Sequence, residues 1–379
     1  VRGFQRFKLN LARTDYTHTE FEGDEIGTHF EGDTFDSRVE LEHQPWGQWN
    51  GALGGQYTDR EFSAEGEEAF VPPSDTRSTA LFWVESGEFG DWRFDLGLRF
   101  ESVDISSFVL EHDHHEEEGH EEEEHHDEEE LEAIDRDFDP VSFSAAATWH
   151  LDERSHFTFS FARAERAPSD VELFANGPHI ATQTFEVGNP DLTIETNQHF
   201  EASYRIHQGS LTGSISVYLD DYDDFIYQAG TGEEEDGFPL RLWSQQDAKF
   251  VGSELELRWD LGHNNAGHWQ LFGFYDRIRA ELDNGDNVPR IPPSRIGLGL
   301  DWDNAGWAGN LLWINANHHS RTTEFETPTP GYDLVNAELS YRLPAGNMGN
   351  VEIYLQGRNL LDEDIRHSAS FLKDQAPQI

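Results

Sequence analysis

Apolar and polar residues alternate with a period of two along much of this chain. The segment WRFDLGLRF places one set of side chains on a single face: Trp92, Phe94, Leu96, Leu98 and Phe100. The runs HFTFSFARA (156–164) and NVEIYLQGRNL (350–360) repeat the pattern. Such alternation is typical of β-strands with one apolar and one polar face. We therefore predict an all-β fold of about fourteen strands, each longer than the usual strand of a soluble protein.

The connections between these strands alternate in length. Short turns are predicted at 44–47, 86–91, 151–155, 207–210, 263–267 and 303–306. Longer, acidic connections are predicted at 19–33, 64–75, 109–138, 167–195, 228–238, 283–290 and 321–330. A soluble β-sandwich or an all-β enzyme has no reason to keep every second connection short, and no propeller-like repeat is visible. The pattern predicts a transmembrane antiparallel β-barrel, with short periplasmic turns and long extracellular loops.

Composition excludes several classes of function. The chain has 379 residues, of which 75 are acidic and 26 basic, so its formal charge is −49. Nucleic-acid binding is excluded because it depends on Lys and Arg that neutralise phosphates. Since cysteine is absent, disulfides, thiolate metal sites and cysteine nucleophiles are excluded as well. No G-x-S-x-G, H-E-x-x-H or P-loop motif is present, which indicates a protein that is not an enzyme.

Two sequence blocks, far apart in the chain, identify a resemblance. RAPSDVELF (166–174) is followed by GNPDLTIE (188–195), and GRNLLDEDIRHSASFLKDQAP lies at 357–377. These blocks resemble the TonB-dependent outer-membrane receptors of Gram-negative bacteria. The resemblance implies a plugged barrel of about twenty-two strands in outer-membrane lipid, energised by the TonB–ExbB–ExbD complex. Residues 1–379 are expected to be the later part of such a barrel domain, without the plug and the last strand.

Within that family, one region resembles the zinc-uptake, ZnuD-type branch. The region is LEHQPWGQWNGALGGQYTDREFSAEGEEAFVPPSDTRSTALFWVE, including the stretch from Gly66 to Pro72. The resemblance implies a divalent metal ion as the transported ligand, with zinc favoured, and no prosthetic group. In the R-A-P block (166–174) and the G-N-P block (188–195), proline and glycine are interpreted as residues that fix loop geometry and not as ligand contacts.

The segment EHDHHEEEGHEEEEHHDEEE (111–130) is the predicted metal-binding segment. It lies within a predicted outer loop at 109–138. It holds six histidines among thirteen acidic residues. Imidazole and carboxylate together suit Zn²⁺ and similar ions, so several weak, exchanging sites are predicted. The candidate ligands are His112, Asp113, His114, His115, His120, His125, His126 and Asp127. Weaker candidates, near other outer connections, are His18, His29, His179, His318 and His319.

Three alternatives to this interpretation stay open. The segment 111–130 is also compatible with a solvated low-complexity tract. The cargo could be haem or a ferric siderophore, although the carboxylates of the loop would repel such anions. A surface protein that binds metal without transporting it would carry the same loop.

Overall fold

The computed structural model describes residues 3–23, 25–66, 68–110, 131–344 and 349–377. Within these residues it contains eighteen β-strands and one short helix, α1 (Asp170–Phe174). The first nine strands are β1 (Phe4–Glu22), β2 (Glu25–His43), β3 (Trp49–Glu65), β4 (Ser74–Phe89), β5 (Trp92–Leu110), β6 (Leu131–Phe138), β7 (Val141–Asp152), β8 (Ser155–Arg166) and β9 (Asn176–His179). The others are β10 (Thr184–Val187), β11 (Glu195–Gln208), β12 (Leu211–Glu235), β13 (Phe238–Asn264), β14 (Gly267–Leu282), β15 (Arg295–Asn304), β16 (Trp307–Ala316), β17 (Tyr332–Pro344) and β18 (Asn350–Gly357).

The long strands form one antiparallel ladder that follows chain order. It runs from β1 to β5, continues through β7, β8 and β11, and proceeds from β12 to β18. Strands β6 and β7 lie end to end along β5, and they are interrupted at Pro140, which lacks the N–H that the ladder needs. The predicted short turns join the strands at one end of this ladder.

The two faces of the ladder differ as the alternation predicts. Phe100 on β5 pairs with Leu81 on β4, and both side chains are exposed, at 50% and 65%. The opposite face carries ion pairs such as Arg99–Glu101 and Lys8–Glu40. A sheet with an apolar outer face and a polar inner face is the arrangement of a membrane barrel. Among the described residues, no helix has the length and the apolar character needed to cross a bilayer.

Three predicted outer loops are strands in the structure over part or most of their length, so the predictions for 19–33 and 228–238 are wrong, as are the bounds of the loop predicted at 109–138, where β5 extends to Leu110 and Leu131–Phe138 form β6. β1 and β2 remain paired to Glu22 and Glu25, and β12 and β13 remain paired to Glu235 and Phe238. Acidic residues in these segments suggested loops. Backbone N–H and C=O groups pair whatever their side chains are, so acidic residues do not by themselves end a strand.

The connection between β8 and β11 folds back onto the inner face of the sheet. It contains α1 and the β9–β10 hairpin, and β10 pairs in parallel with β13 through Phe185↔Leu240. Leu173 and Phe174 of α1 are buried in a small apolar core with Val103 and Ile105, which lie on the face of β5 opposite Phe100. This connection is therefore an ordered structure that positions polar groups at the outer end of the ladder.

Candidate functional site

The principal predicted metal ligands lie outside the described residues. They are His112, Asp113, His114, His115, His120, His125, His126 and Asp127, all within 111–130. The neighbouring strands β5 and β6 are described, and they are paired up to Leu110↔Leu131. Metal capture by this run thus stays a prediction from its sequence.

His18 and His29 point to opposite faces of the sheet. His18 pairs with Phe30 and stacks on its ring at 4.4 Å, whereas the next pair in the register is Thr19↔His29. The Nδ1 atom of His29 lies 2.8 Å from Thr19 Oγ1. Since partners in a register share a face and successive residues alternate, these two imidazoles cannot bind one ion.

His179 belongs to a polar cluster on the β9–β10 hairpin. Its Nδ1 atom lies 2.8 Å from Glu186 Oε1, and its ring stacks on Phe70 at 4.3 Å. Thr182 and Thr184 donate further hydrogen bonds to the same carboxylate oxygen at 3.3 Å. Burial raises the pKa of Glu186, but hydrogen bonds from His179 and its other neighbours outweigh it, and the net pKa is lowered. Glu186 is thus held as a carboxylate.

His318 and His319 follow β16 in the connection to β17. His318 is exposed, whereas His319 is buried and its backbone pairs with Thr329. Burial lowers the pKa of His319, so a neutral ring is favoured, and its Nε2 atom has no hydrogen-bond partner. Within the described ranges, no group of three or more His, Asp or Glu side chains is arranged to hold a metal ion.

A charged junction fixes the start of the β8–β11 connection. The Arg166 guanidinium donates two hydrogen bonds to Glu172, at 2.8 and 3.0 Å, and two to Glu195, at 2.8 and 3.1 Å. Glu172 also accepts the backbone N–H of Ser169 at 2.7 Å, which completes a capping box at the start of α1. Every hydrogen-bonding edge of this guanidinium is used by protein carboxylates.

The glycine of the G-N-P block permits this junction to close. A Cβ atom on Gly188 would lie 2.5 Å from Phe174 N and 2.6 Å from Leu173 O, both of them backbone atoms. Gly188 N in turn donates to Ala175 O at 2.6 Å. The R-A-P block (166–174) and the G-N-P block (188–195) therefore contact each other. Gly188 fixes the geometry of the connection, in line with the interpretation from the sequence.

A cavity of about 350 Å³ lies between the β12–β13 hairpin and four other segments, which are the β9–β10 turn, the β14–β15 and β16–β17 connections and the segment after β18. Its cationic lining consists of Arg241, Arg290 and Lys373. Arg241 lies over the ring of Phe325 and Arg290 over the ring of Phe371, each with its guanidinium carbon 3.7 Å from the ring centre. Desolvation lowers the pKa of Arg290. The carboxylate residues Glu326 and Asp374 line the same cavity, so its basic and acidic groups are mixed.

Sequence reasoning missed this cavity. Its basic residues come from β13 and from two connections distant in the chain, so no local motif joins them. One signal in the sequence could have indicated a basic site. Only 26 of the 379 residues are basic, and several of these lie near acidic outer segments.

The comparisons with known proteins agree with the fold. The model of the family "TonB dependent receptor-like, beta-barrel" matches residues 2–360. A heme/hemopexin utilization protein C from Haemophilus influenzae (strain 86-028NP) is 23% identical over 256 residues, which cover 62% of this chain and 35% of that protein.

Two solved structures show the same fold. The copper transporter OprC superposes with a TM-score of 0.70 at 16% identity, covering 90% of this chain and 52% of that one. The Serratia marcescens hemophore receptor HasR, in complex with its hemophore HasA and heme, gives a TM-score of 0.64 at 15% identity, covering 88% and 56%. This chain thus spans about a third of the curated relative and about half of each structure.

The family match covers almost the whole chain and confirms the predicted antiparallel all-β barrel fold, while the strand number of a complete barrel stays a prediction. The matched family and the neighbouring structures are transport receptors and not enzymes. The chain belongs to the TonB-dependent receptor-like β-barrel family and is a protein of the Gram-negative outer membrane.

Proposed function

We propose that this receptor imports a divalent metal ion, with zinc favoured, across the outer membrane. The observation that carries the proposal is the run at 111–130, where six histidines stand among thirteen acidic residues. Low-complexity acidic tracts account for Glu and Asp, but they do not account for histidine at this density. The run connects the paired ends of β5 and β6, at the end of the sheet where the long connections lie.

The chemistry of the run suits capture and release. Neutral imidazole and carboxylate are ligands for Zn²⁺, and many alternative groupings give weak sites that exchange rapidly. An ion that is held too tightly would not move inward. In this proposal, the TonB–ExbB–ExbD complex drives the inward step through a plug domain, as in the family.

A second candidate is a receptor for haem or a ferric siderophore. It is favoured by the curated relative, which is a heme/hemopexin utilization protein. The zinc branch has no such support, because the relatives described above concern haem and copper. A surface protein that binds metal without transport is the third candidate, and the loss of uptake in a strain lacking TonB would count against it.

The decisive experiment titrates the full-length receptor in detergent at pH 7.4 with Zn²⁺, Ni²⁺, Cu²⁺, haemin and a ferric siderophore. A variant in which a Gly/Ser linker replaces residues 112–126 is measured in parallel. We expect several Zn²⁺ sites in the receptor and their loss in the variant. Tight haemin binding without loop-dependent Zn²⁺ sites would replace zinc by haem as the cargo.

The same titration has a predicted pH dependence. Histidine has an ordinary pKa of about 6.5, and protons compete with metal for the imidazole nitrogen. Zn²⁺ affinity should therefore fall as the pH drops below about 6. A matched variant with the six histidines changed to Gln keeps the carboxylates of the run, so it separates imidazole ligation from simple attraction of cations.

A further inference from the structure

Two arginines of β14 lie on the apolar, lipid-facing side of the sheet. Val251, Leu257 and Trp259 lie at alternate positions of β13 on that side, and each of them is exposed. Arg279 pairs with Val251 in the strand register, so its side chain is on the same face. Arg277 lies two residues earlier in β14 and therefore shares this face, and both arginine side chains are exposed. The two cations thus face outward from the barrel.

The height of these arginines on the barrel corresponds to the level of lipid headgroups. The outward-facing positions of β14 change from Trp269, near the short turn before this strand, through Tyr275 to the two arginines. Ten residues separate Trp269 from Arg279, which at about 3.3 Å per residue and a strand tilt of about 40° gives a height of about 25 Å. The apolar band of an outer-membrane barrel has about this height, with aromatic residues at its two borders. Arg277 and Arg279 therefore lie at the border nearer the long connections, on the outer side of the membrane.

Neither of these guanidinium groups has a counter-charge in the protein. Within the part of the chain that the structure describes, no carboxylate forms an ion pair with Arg277 or Arg279, and neither side chain donates a hydrogen bond. The neighbouring basic residues, in contrast, are paired with acids: Lys249 with Asp221 at 3.5 Å, and Arg321 with Glu281. An unpaired cation on the lipid face of a barrel is unfavourable unless the membrane supplies an anion. The two arginines thus have donors that only a molecule outside the barrel can use.

We propose that Arg277 and Arg279 bind the phosphate groups of the phosphorylated glycolipid that forms the outer leaflet of this membrane. A guanidinium presents paired N–H donors that match two phosphate oxygens. Alternate residues on one face of a strand lie about 7 Å apart, so the two arginines can bind two phosphates side by side. The formal charge of −49 repels an anionic glycolipid, and a local pair of free cations offsets that repulsion where the barrel meets the headgroups. This site lies on the outside of the barrel and does not depend on which cargo the receptor imports.

The test is a titration of the full-length receptor in detergent, followed by native mass spectrometry. The probes are diphosphorylated lipid A, fully dephosphorylated lipid A, phosphatidylglycerol and inorganic phosphate. EDTA is present, because divalent cations would otherwise bridge phosphate to the carboxylates of this acidic protein. We expect the double variant Arg277→Gln/Arg279→Gln to bind diphosphorylated lipid A roughly thirtyfold more weakly than the parent, since each basic residue at a layer of anionic headgroups contributes a factor of about five to six.

Two further variants separate the position of the charge from its amount. Arg205→Gln/Arg258→Gln removes the same number of charges from the opposite face, because Arg258 lies between the outward-facing Leu257 and Trp259 and Arg205 pairs with the inward-facing Ser214. This control should bind lipid A as the parent does. Lysine at both β14 positions keeps the charges without the paired donors, so this variant should lose only part of the affinity. Strand content by circular dichroism shows that each variant is folded.

Several outcomes would overturn the proposal. One is binding of diphosphorylated lipid A that is equal in the parent and in the Arg277→Gln/Arg279→Gln variant, or absent from both. Equal binding of the dephosphorylated form would show that the apolar band alone holds the lipid. Phosphatidylglycerol or inorganic phosphate bound as tightly as lipid A would indicate a general anion site. An equal loss of affinity in the inward-facing control would indicate an effect of net charge and not of this site.

Discussion

Arg166 and Arg241 both lie at the outer end of the sheet, yet their surroundings are opposite. Arg166 meets two carboxylates with four hydrogen bonds, and those carboxylates also bind backbone N–H groups of Ser169 and Ile226. Arg241 meets an aromatic ring and no carboxylate among the described residues. The N–H groups of the Arg166 guanidinium are all hydrogen-bonded within the protein. Those of Arg241 donate no hydrogen bond to a described residue.

This difference separates a cation that holds a connection in place from one that does not. A saturated ion pair at a loop junction fixes the connection, because every partner would lose its counter-charge with the guanidinium. Arg241 is partly desolvated, which lowers its pKa, and the charges of Glu186 and Glu326 act on it only from beyond ion-pair distance. Removing each side chain should therefore have different consequences for local stability.

The largest effect is expected from Arg166→Gln. Glu172 and Glu195 are each 8% exposed, and this change would leave two buried carboxylates facing each other without a cation. We expect the β8–β11 connection to lose about 2 kcal/mol of local stability, at the lower end for a buried pair because Arg166 is 42% exposed. Hydrogen exchange of amides 169–175 should accelerate roughly thirtyfold.

Arg154→Gln, in the exposed β7–β8 turn, is the control for this measurement and should leave exchange at 169–175 unchanged. If Arg166→Gln exchanged at the parent's rate, the junction would not depend on its ion pairs.

A smaller effect in the same junction is expected from Ser169→Ala. The Ser169 Oγ atom accepts the N–H of Glu172 at 3.3 Å, and its loss removes one half of the capping box. We expect a loss of about 1 kcal/mol, which is roughly a fivefold faster exchange of the α1 amides. Ser169→Asp restores the acceptor and should recover most of the protection. Equal exchange in the Ala and Asp variants would show that the cap is unimportant here.

The smallest effect on stability is expected from Arg241→Gln. No ion pair is broken, and a partly desolvated charge is removed, so local stability should change by less than about 0.5 kcal/mol or rise slightly. Hydrogen exchange of the β12–β13 hairpin near Gly230 measures this. A large acceleration there would place Arg241 with Arg166 as a structural cation and would remove the contrast between them.

The fold was accessible from sequence because alternation is a local signal. The alternation from Trp92 to Phe100 shows which side chains share a face, and the neighbouring strands need not be known for this. The short turns show where the chain reverses direction in the ladder. The outer hairpins were missed for a physical reason. Glu233, Glu234 and Glu235 have the composition of a loop, but the strand pairing of β12 and β13 includes Glu234 and Glu235 through the backbone.

The site was less accessible, because its contacts join residues that are distant in sequence. His18 and His29 were both weaker candidate ligands near one predicted outer connection, and only the strand register shows that they lie on opposite faces. Arg241 and Arg290 carry no motif, and only the packing of Phe325 over Gly230 and of loop 368–375 brings them to one cavity. Pairing across a sheet and packing between loops depend on the whole fold, which one sequence does not encode locally.

The pairing of β12 and β13 up to their tip has a consequence for immune recognition. In the register, Gln228 pairs with Trp243 and Glu235 with Phe238, with an irregularity between Gly230 and Glu234, so the tip is a hairpin built from both strands. An antibody against this tip would recognise a surface made by two strands together. A linear peptide of residues 228–243 would not reproduce that surface, whereas a peptide cyclised beside Gln228 and Trp243 would present both strands in their native register.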